Sequence, residues 1–104
     1  MSKLGFREAL AMLLGALNTG FFGFPIDEVR AGKNRLQTGE LSLGELIRIL
    51  KRCRGPDYSE SPHHWMPEVV CHVFKPTVDG HRWYVKCCFV EQNTLLISVH
   101  KSEH

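Results

Sequence analysis

A chain of 104 residues with 43% apolar and 23% charged side chains is large enough for one hydrophobic core and too apolar to stay disordered. Its net charge of +2 excludes the strongly basic profile of a chain that holds nucleic acid by bulk charge alone, so any such role must rest on where the charges sit. No stretch is long enough to span a bilayer, and a cytoplasmic protein is the default expectation.

Lys3 and Arg7 precede the apolar run Ala9 to Leu14 in the manner of a signal peptide, but Glu8 interrupts the pattern and no small-residue cleavage site follows. Leu4, Phe6, Leu10, Leu13, Leu14 and Leu17 recur at helical spacing, which predicts an amphipathic helix from about Lys3 to Leu17, ended by Asn18-Thr19-Gly20. Phe21-Phe22-Gly23-Phe24-Pro25 cannot continue that helix. Its aromatics either pack down under a loop or mark a partner surface. Residues 26–37 are polar with isolated apolar points and predict a short, weak helix broken near Gly32, with Arg30, Lys33 and Arg35 on its solvated side.

Ser42-Leu43-Gly44-Glu45 is a capping box, and Leu41 is placed to staple onto Leu46. Leu43, Leu46, Ile47 and Leu50 then face one way, and Gly55-Pro56 stops the helix. Lys51, Arg52 and Arg54 at its end suit the helix dipole without any ligand; phosphate contact is the functional reading of the same cations. Residues 57–67 form a Ser/Pro/His loop. Three strands follow: Glu68 to Lys75, ending at a proline that cannot donate to a ladder; His81 to Val90, after the Asp79-Gly80 turn; and Thr94 to His100. The expectation is a single domain over 1–104, with helices in 1–55 packed on an antiparallel sheet of about three strands in 68–100. Its class is α+β.

Cys53, Cys71, Cys87 and Cys88 are expected to be buried thiols, because a domain with its own core needs no staples. Cys87 and Cys88 are adjacent and point to opposite faces of a strand, so they cannot serve one site. His63, His64, His72 and His81 lie among the cysteines, yet neither C-x-x-C nor H-x-x-x-H spacing occurs; no metal or cofactor is expected.

Period-two alternation puts Trp83, Val85, Cys87 and Phe89 on one face of the second strand and Tyr84, Lys86, Cys88 and Val90 on the other. On the third strand Leu95, Ile97 and Val99 form the apolar set, leaving Ser98 and His100 beside Leu96. With the Trp83 and Leu95 sets in the core, Tyr84, Lys86, Ser98 and His100 gather on an open face. A phenol, a cation and an imidazole on one face match the needs of RNA cleavage without metal. That reaction requires a base for the ribose 2′-hydroxyl, an acid for the leaving 5′-oxygen and a cation for the phosphorane. Imidazole suits the proton transfers because it titrates near neutral pH. Polar residues alternating on a half-exposed sheet are also simply normal.

The order Val73-Phe74-Lys75-Pro76, Asp79-Gly80, Tyr84-Val85-Lys86 and Leu96-Ile97-Ser98-Val99-His100 resembles the C-terminal sheet of the MqsR-type toxins, relatives of the RelE-like mRNA interferases. Leu41 to Tyr58 is similar to that family's capped helix leading into an Asp-aromatic pair, here Asp57-Tyr58. The resemblance implies an endoribonuclease that cleaves mRNA without metal and is silenced by a cognate antitoxin. By position it assigns the catalytic tyrosine to Tyr84 and the basic residue of the last strand to His100. It leaves Glu60 where the family has a lysine, and places the polar residue of the first strand near Cys71 or His72. The expected set is therefore His100, Tyr84, Lys86 and His72 for chemistry, with Lys75, Lys51, Arg52 and Arg54 on the RNA backbone. A homodimer is left open. The alternative is a non-enzymatic interaction module that uses the same open face and Phe21, Phe22 and Phe24.

Overall fold

The computed structural model describes residues 5–25, 34–62, 68–90 and 93–102. They form helices α1 (Phe6–Thr19), α2 (Arg35–Thr38) and α3 (Leu43–Lys51), and strands β1 (Phe22–Gly23), β2 (Tyr58–Pro62), β3 (Val70–Phe74), β4 (Thr77–Val78), β5 (His81–Val90) and β6 (Asn93–Lys101). The class is α+β, as the sequence predicts. Its radius of gyration is 12.8 Å, the size of one folded body of this length, about 13 Å. No helix of the described residues is long and apolar enough to cross a membrane.

The long helices form where their ends are satisfied locally. The Glu8 carboxylate accepts the Gly5 N–H at the start of α1 (3.1 Å), and the helix ends at Gly20, whose φ of 82° only glycine adopts without strain. In α3 the Ser42 hydroxyl accepts from the Glu45 N–H while the Glu45 carboxylate accepts from the Ser42 N–H, each at 3.1 Å. The predicted capping box is thus present, and Leu41 and Leu46 are buried in one cluster beside it. The expected start of α1 at Lys3 and most of the weak helix over 26–37 fall outside the described residues. What is described of the latter is the single turn α2.

The sheet runs in the order β1-β6-β5-β3-β2, with β4 paired to β5 as a short arm. It is mixed, because β1 lies parallel to β6 while the other neighbours are antiparallel. About six strands therefore replace the expected three. The additional ones carry little signal in their own side chains. The strand β2, read from sequence as loop, is a polar edge strand held by its ladder to β3, from Tyr58 opposite Phe74 to Pro62 opposite Val70. The β4–β5 hairpin turns on Asp79 and Gly80, whose φ values of 53° and 80° are the positive pair that a two-residue type I′ loop requires.

A larger core lies between the helices and one face of the sheet. Leu13 and Leu17 of α1 and Leu46, Ile49 and Leu50 of α3 pack with Phe74, Trp83, Val85, Cys87, Leu96 and Val99. On the opposite face a small second cluster buries Cys71, Cys88 and Ile97 against Val69, Val90 and Leu95. This corrects the assignment of Leu95 and Ile97 to the main core. The ladder pairs Lys86 with Ser98 but Cys87 with Leu96, so Ile97 is an extra residue in a β-bulge. One inserted residue reverses the alternation, sending Leu95 away from the helices and Leu96 toward them.

Asn34 ties the helix layer to the sheet. Its side-chain oxygen accepts from the N–H groups of Leu36 and Gln37 in part-buried bonds, and its amide donates to the Leu96 carbonyl at 3.2 Å in a buried one. Asn34→Ala removes the cap and strands a buried carbonyl, and is expected to cost about 2–4 kcal/mol. The check is a urea melt, in which the midpoint falls while the slope stays that of the wild type.

Candidate functional site

The residues singled out from sequence divide between the two faces of the sheet. Tyr84 of β5 stands directly across from His100 of β6, and their rings are stacked with centroids 5.1 Å apart and planes 11° from parallel. Lys86, two residues further along β5, stands across from Ser98. The Lys75 ammonium lies 5.7 Å from the Tyr84 ring centroid, a cation–π contact that fixes a positive charge beside the stack. All five side chains are half-buried, so they are both positioned and reachable. The face expected to hold Tyr84, Lys86, Ser98 and His100 does hold them, and Lys75 joins it.

One contact settles which nitrogen of His100 is basic. Its Nδ1 lies 3.1 Å from the Lys101 carbonyl oxygen, which can only accept, so Nδ1 carries the hydrogen. In the neutral ring the lone pair is then on Nε2.

His72 is not part of this group. In the β3–β5 ladder it pairs with Cys87 and shares the helix side of the sheet, whereas Cys71, paired with Cys88, shares the side of Tyr84 and His100. Of the two positions that the resemblance left open in this strand, Cys71 is the one on the candidate face. The helix-end cations are separated as well: Lys51 and Arg52 are exposed in the helix layer. Arg54 approaches the sheet only at its end, since its N–H donates to the Asp57 carboxylate and the Asp57 carbonyl accepts from the Lys75 N–H at 2.8 Å.

A second titratable cluster, which the sequence does not announce, surrounds His72. Its Nδ1 lies 2.7 Å from the Tyr58 hydroxyl oxygen, and that hydroxyl donates to Glu60 at 3.2 Å. A phenol has one hydrogen to give. Because Glu60 takes it, His72 supplies its own Nδ1 hydrogen to the phenol oxygen. Burial lowers the His72 pKa, and the nearby Glu60 carboxylate opposes this only in part. Burial, reinforced by Glu60, pushes the Tyr58 phenol up. The signal for this cluster is the register itself, which sets Glu60 across from His72 and Tyr58 across from Phe74.

The aromatic run after α1 is also divided. Phe22 and Phe24 meet edge to face at 5.9 Å and pack against the main core, while Phe21 is 78% exposed. A shallow groove of about 470 Å³ lies beside it, lined by Gly20 to Gly23, Val90 and Asn93 to Leu95. Of the three aromatics of the interaction-module reading, Phe21 is thus exposed, and Phe22 and Phe24 are half-buried. Among the described residues no group of three or more His, Cys, Asp or Glu side chains is placed to hold a metal ion.

No protein family, curated protein or solved structure matches the chain.

The lowered His72 pKa has a definite sign in stability. Near pH 6.5 and below, the unfolded chain takes up a proton that the native imidazole resists, so stability is complete above that pH and declines as pH falls toward the lowered native value. Urea midpoints measured from about pH 7.5 down to about pH 5.5 are expected to drop in the wild type and to drop less in His72→Gln, each referred to its own value at the higher pH.

Proposed function

We propose that the Tyr84–His100 face is the active site of an endoribonuclease that cleaves cytoplasmic mRNA by acid–base catalysis without a metal. The observation that carries the reading is the cross-strand stack itself: a half-exposed imidazole parallel to a phenol, its Nε2 lone pair available, with Lys75 and Lys86 on the same face. The motif order that resembles the MqsR-type toxins supports it independently of the geometry. That resemblance also supplies the expected partner, a cognate antitoxin that silences the enzyme.

In this mechanism the Nε2 of His100 takes the proton from a ribose 2′-hydroxyl, and the 2′-oxygen attacks the adjacent phosphorus. The Tyr84 hydroxyl protonates the departing 5′-oxygen. The products are a 2′,3′-cyclic phosphate and a 5′-hydroxyl end. Charge building on the phosphorane oxygens is met by the Lys86 and Lys75 ammonium groups, a role that gains strength as the substrate displaces water from the sheet. The flat face of the ring pair also offers a stacking surface to an unpaired base, which favours single-stranded RNA. His72 has no part in this chemistry, and Lys51, Arg52 and Arg54 serve at most to hold distant phosphates.

Each proton transfer contributes roughly 10²–10⁴ in rate, so His100→Ala is expected to lower RNA cleavage by about that factor while leaving the urea midpoint within about 0.5 kcal/mol of the wild type. Cleavage by the wild type should persist in EDTA and stop on a substrate with deoxyribose at the cut site. RNA left intact by wild-type protein, or cut equally by His100→Ala, would sink the proposal.

A further inference from the structure

The four cysteines are all reduced thiols, and the topology singles out one pair among them. Cys71 and Cys88 are direct partners in the antiparallel β3–β5 ladder and lie together in the small cluster on the face away from the helices. Direct antiparallel partners have Cα atoms about 4.5–5.5 Å apart, inside the 4.4–6.8 Å span of a disulfide, so a bond between them asks little of the backbone. Cys87 is excluded as a partner because it points into the helix-side core, and Cys53, at the end of α3, is buried in that same core. The two thiols are close enough for Cys71 to act on the ionisation of Cys88.

We infer that Cys71 and Cys88 form an oxidation site, a native dithiol that closes reversibly to a cross-strand disulfide with a small-molecule disulfide as the oxidant. In the first step one thiolate attacks the oxidant's S–S bond, forming a mixed disulfide and releasing one oxidant half as a thiolate. The second cysteine, after losing its proton, attacks the protein-side sulfur and releases the other half. Two S–H bonds of the protein become one S–S bond, and the two electrons and two protons reduce the oxidant to two thiols.

Burial sets the rate of this chemistry. Desolvation, with Cys71 beside it, pushes the Cys88 thiol up to about 11, so little thiolate exists near neutrality. Access requires the small cluster to open. Among the described residues the buried members of this cluster are Cys71, Cys88 and Ile97, a smaller set than the helix-side core and one that opens at lower cost. The pair is therefore guarded against brief oxidant exposure and responds to a sustained one.

The test is to incubate the full-length wild-type chain with oxidised glutathione at about pH 8.5, where the thiolate fraction is higher, then digest it and map its peptides. The expected result is a mass loss of two hydrogens, located in a Cys71–Cys88 linked peptide that a thiol reductant reverses. Cys71→Ser should lack the linked peptide. Peptide mapping of the wild type is decisive even if that variant folds poorly. A link between any other pair, stable mixed disulfides in place of the link, or a link formed only at urea concentrations that unfold the protein would overturn the inference. None of these readouts depends on RNA cleavage, so the site and the proposed activity stand or fall separately.

Discussion

The register of β5 against its two neighbours is the constraint on which the rest of the structure depends. β5 is the longest strand of the described residues, it is paired on both sides, and Tyr84, Lys86, Ser98, His100, Cys71, His72 and Cys88 take their positions from that pairing. Because side chains alternate with a period of two, a slip of one residue would carry Tyr84 and Lys86 into the helices and bring Val85 and Cys87 out to water. Burial of Val85 and Cys87 at 0% exposure opposes such a slip on the helix side, and burial of Cys88 opposes it on the other. The sheet is thus anchored through both faces. The polar group at Tyr84 and His100 is held by the apolar residues between which it alternates.

How legible this was in the sequence depends on whether an element's evidence lies in its own residues. The strand β5 was legible to the residue because it is bounded by a glycine turn and rich in aromatic and β-branched side chains. The α3 cap was legible because Ser42 and Glu45 satisfy each other's backbone locally. Edge strands are different. Tyr58-Ser59-Glu60-Ser61-Pro62 buries little and alternates weakly, and Phe22-Gly23 is too short to alternate at all; both owe their conformation to a neighbour's ladder. The bulge at Ile97 belongs to the same class, since nothing in Leu95-Leu96-Ile97 indicates which residue will be the extra one.

The candidate site was legible in part for the same reason. Tyr84, Lys86, Ser98 and His100 lie on the far side of the bulge from Leu95 and Leu96, so alternation within each strand remained a true guide to them. It was also sufficient to separate Cys87 from Cys88. It could not place His72, because the face that a strand presents is decided by its partner's register, and β3 has apolar residues on both sides: Cys71 and Val73 on one, Phe74 on the other. The Tyr58–Glu60–His72 network was hidden for a further reason. It spans two strands, and one of them was not legible as a strand.

The parallel contact between β1 and β6 joins segments far apart in the sequence, setting Phe22 beside Thr94 and Gly23 beside Leu95. Asn34 makes a second such tie, reaching the Leu96 carbonyl from the start of α2. Both connections wait on the same strand. On a ribosome, α1 can form early from local bonds alone, but the segment that follows it has no sheet to join until β6 has left the exit tunnel. Closing contacts of this sequence separation is slow compared with helix formation, so the nascent protein passes through a stage in which its first half is helical and its sheet is still without its closing strand.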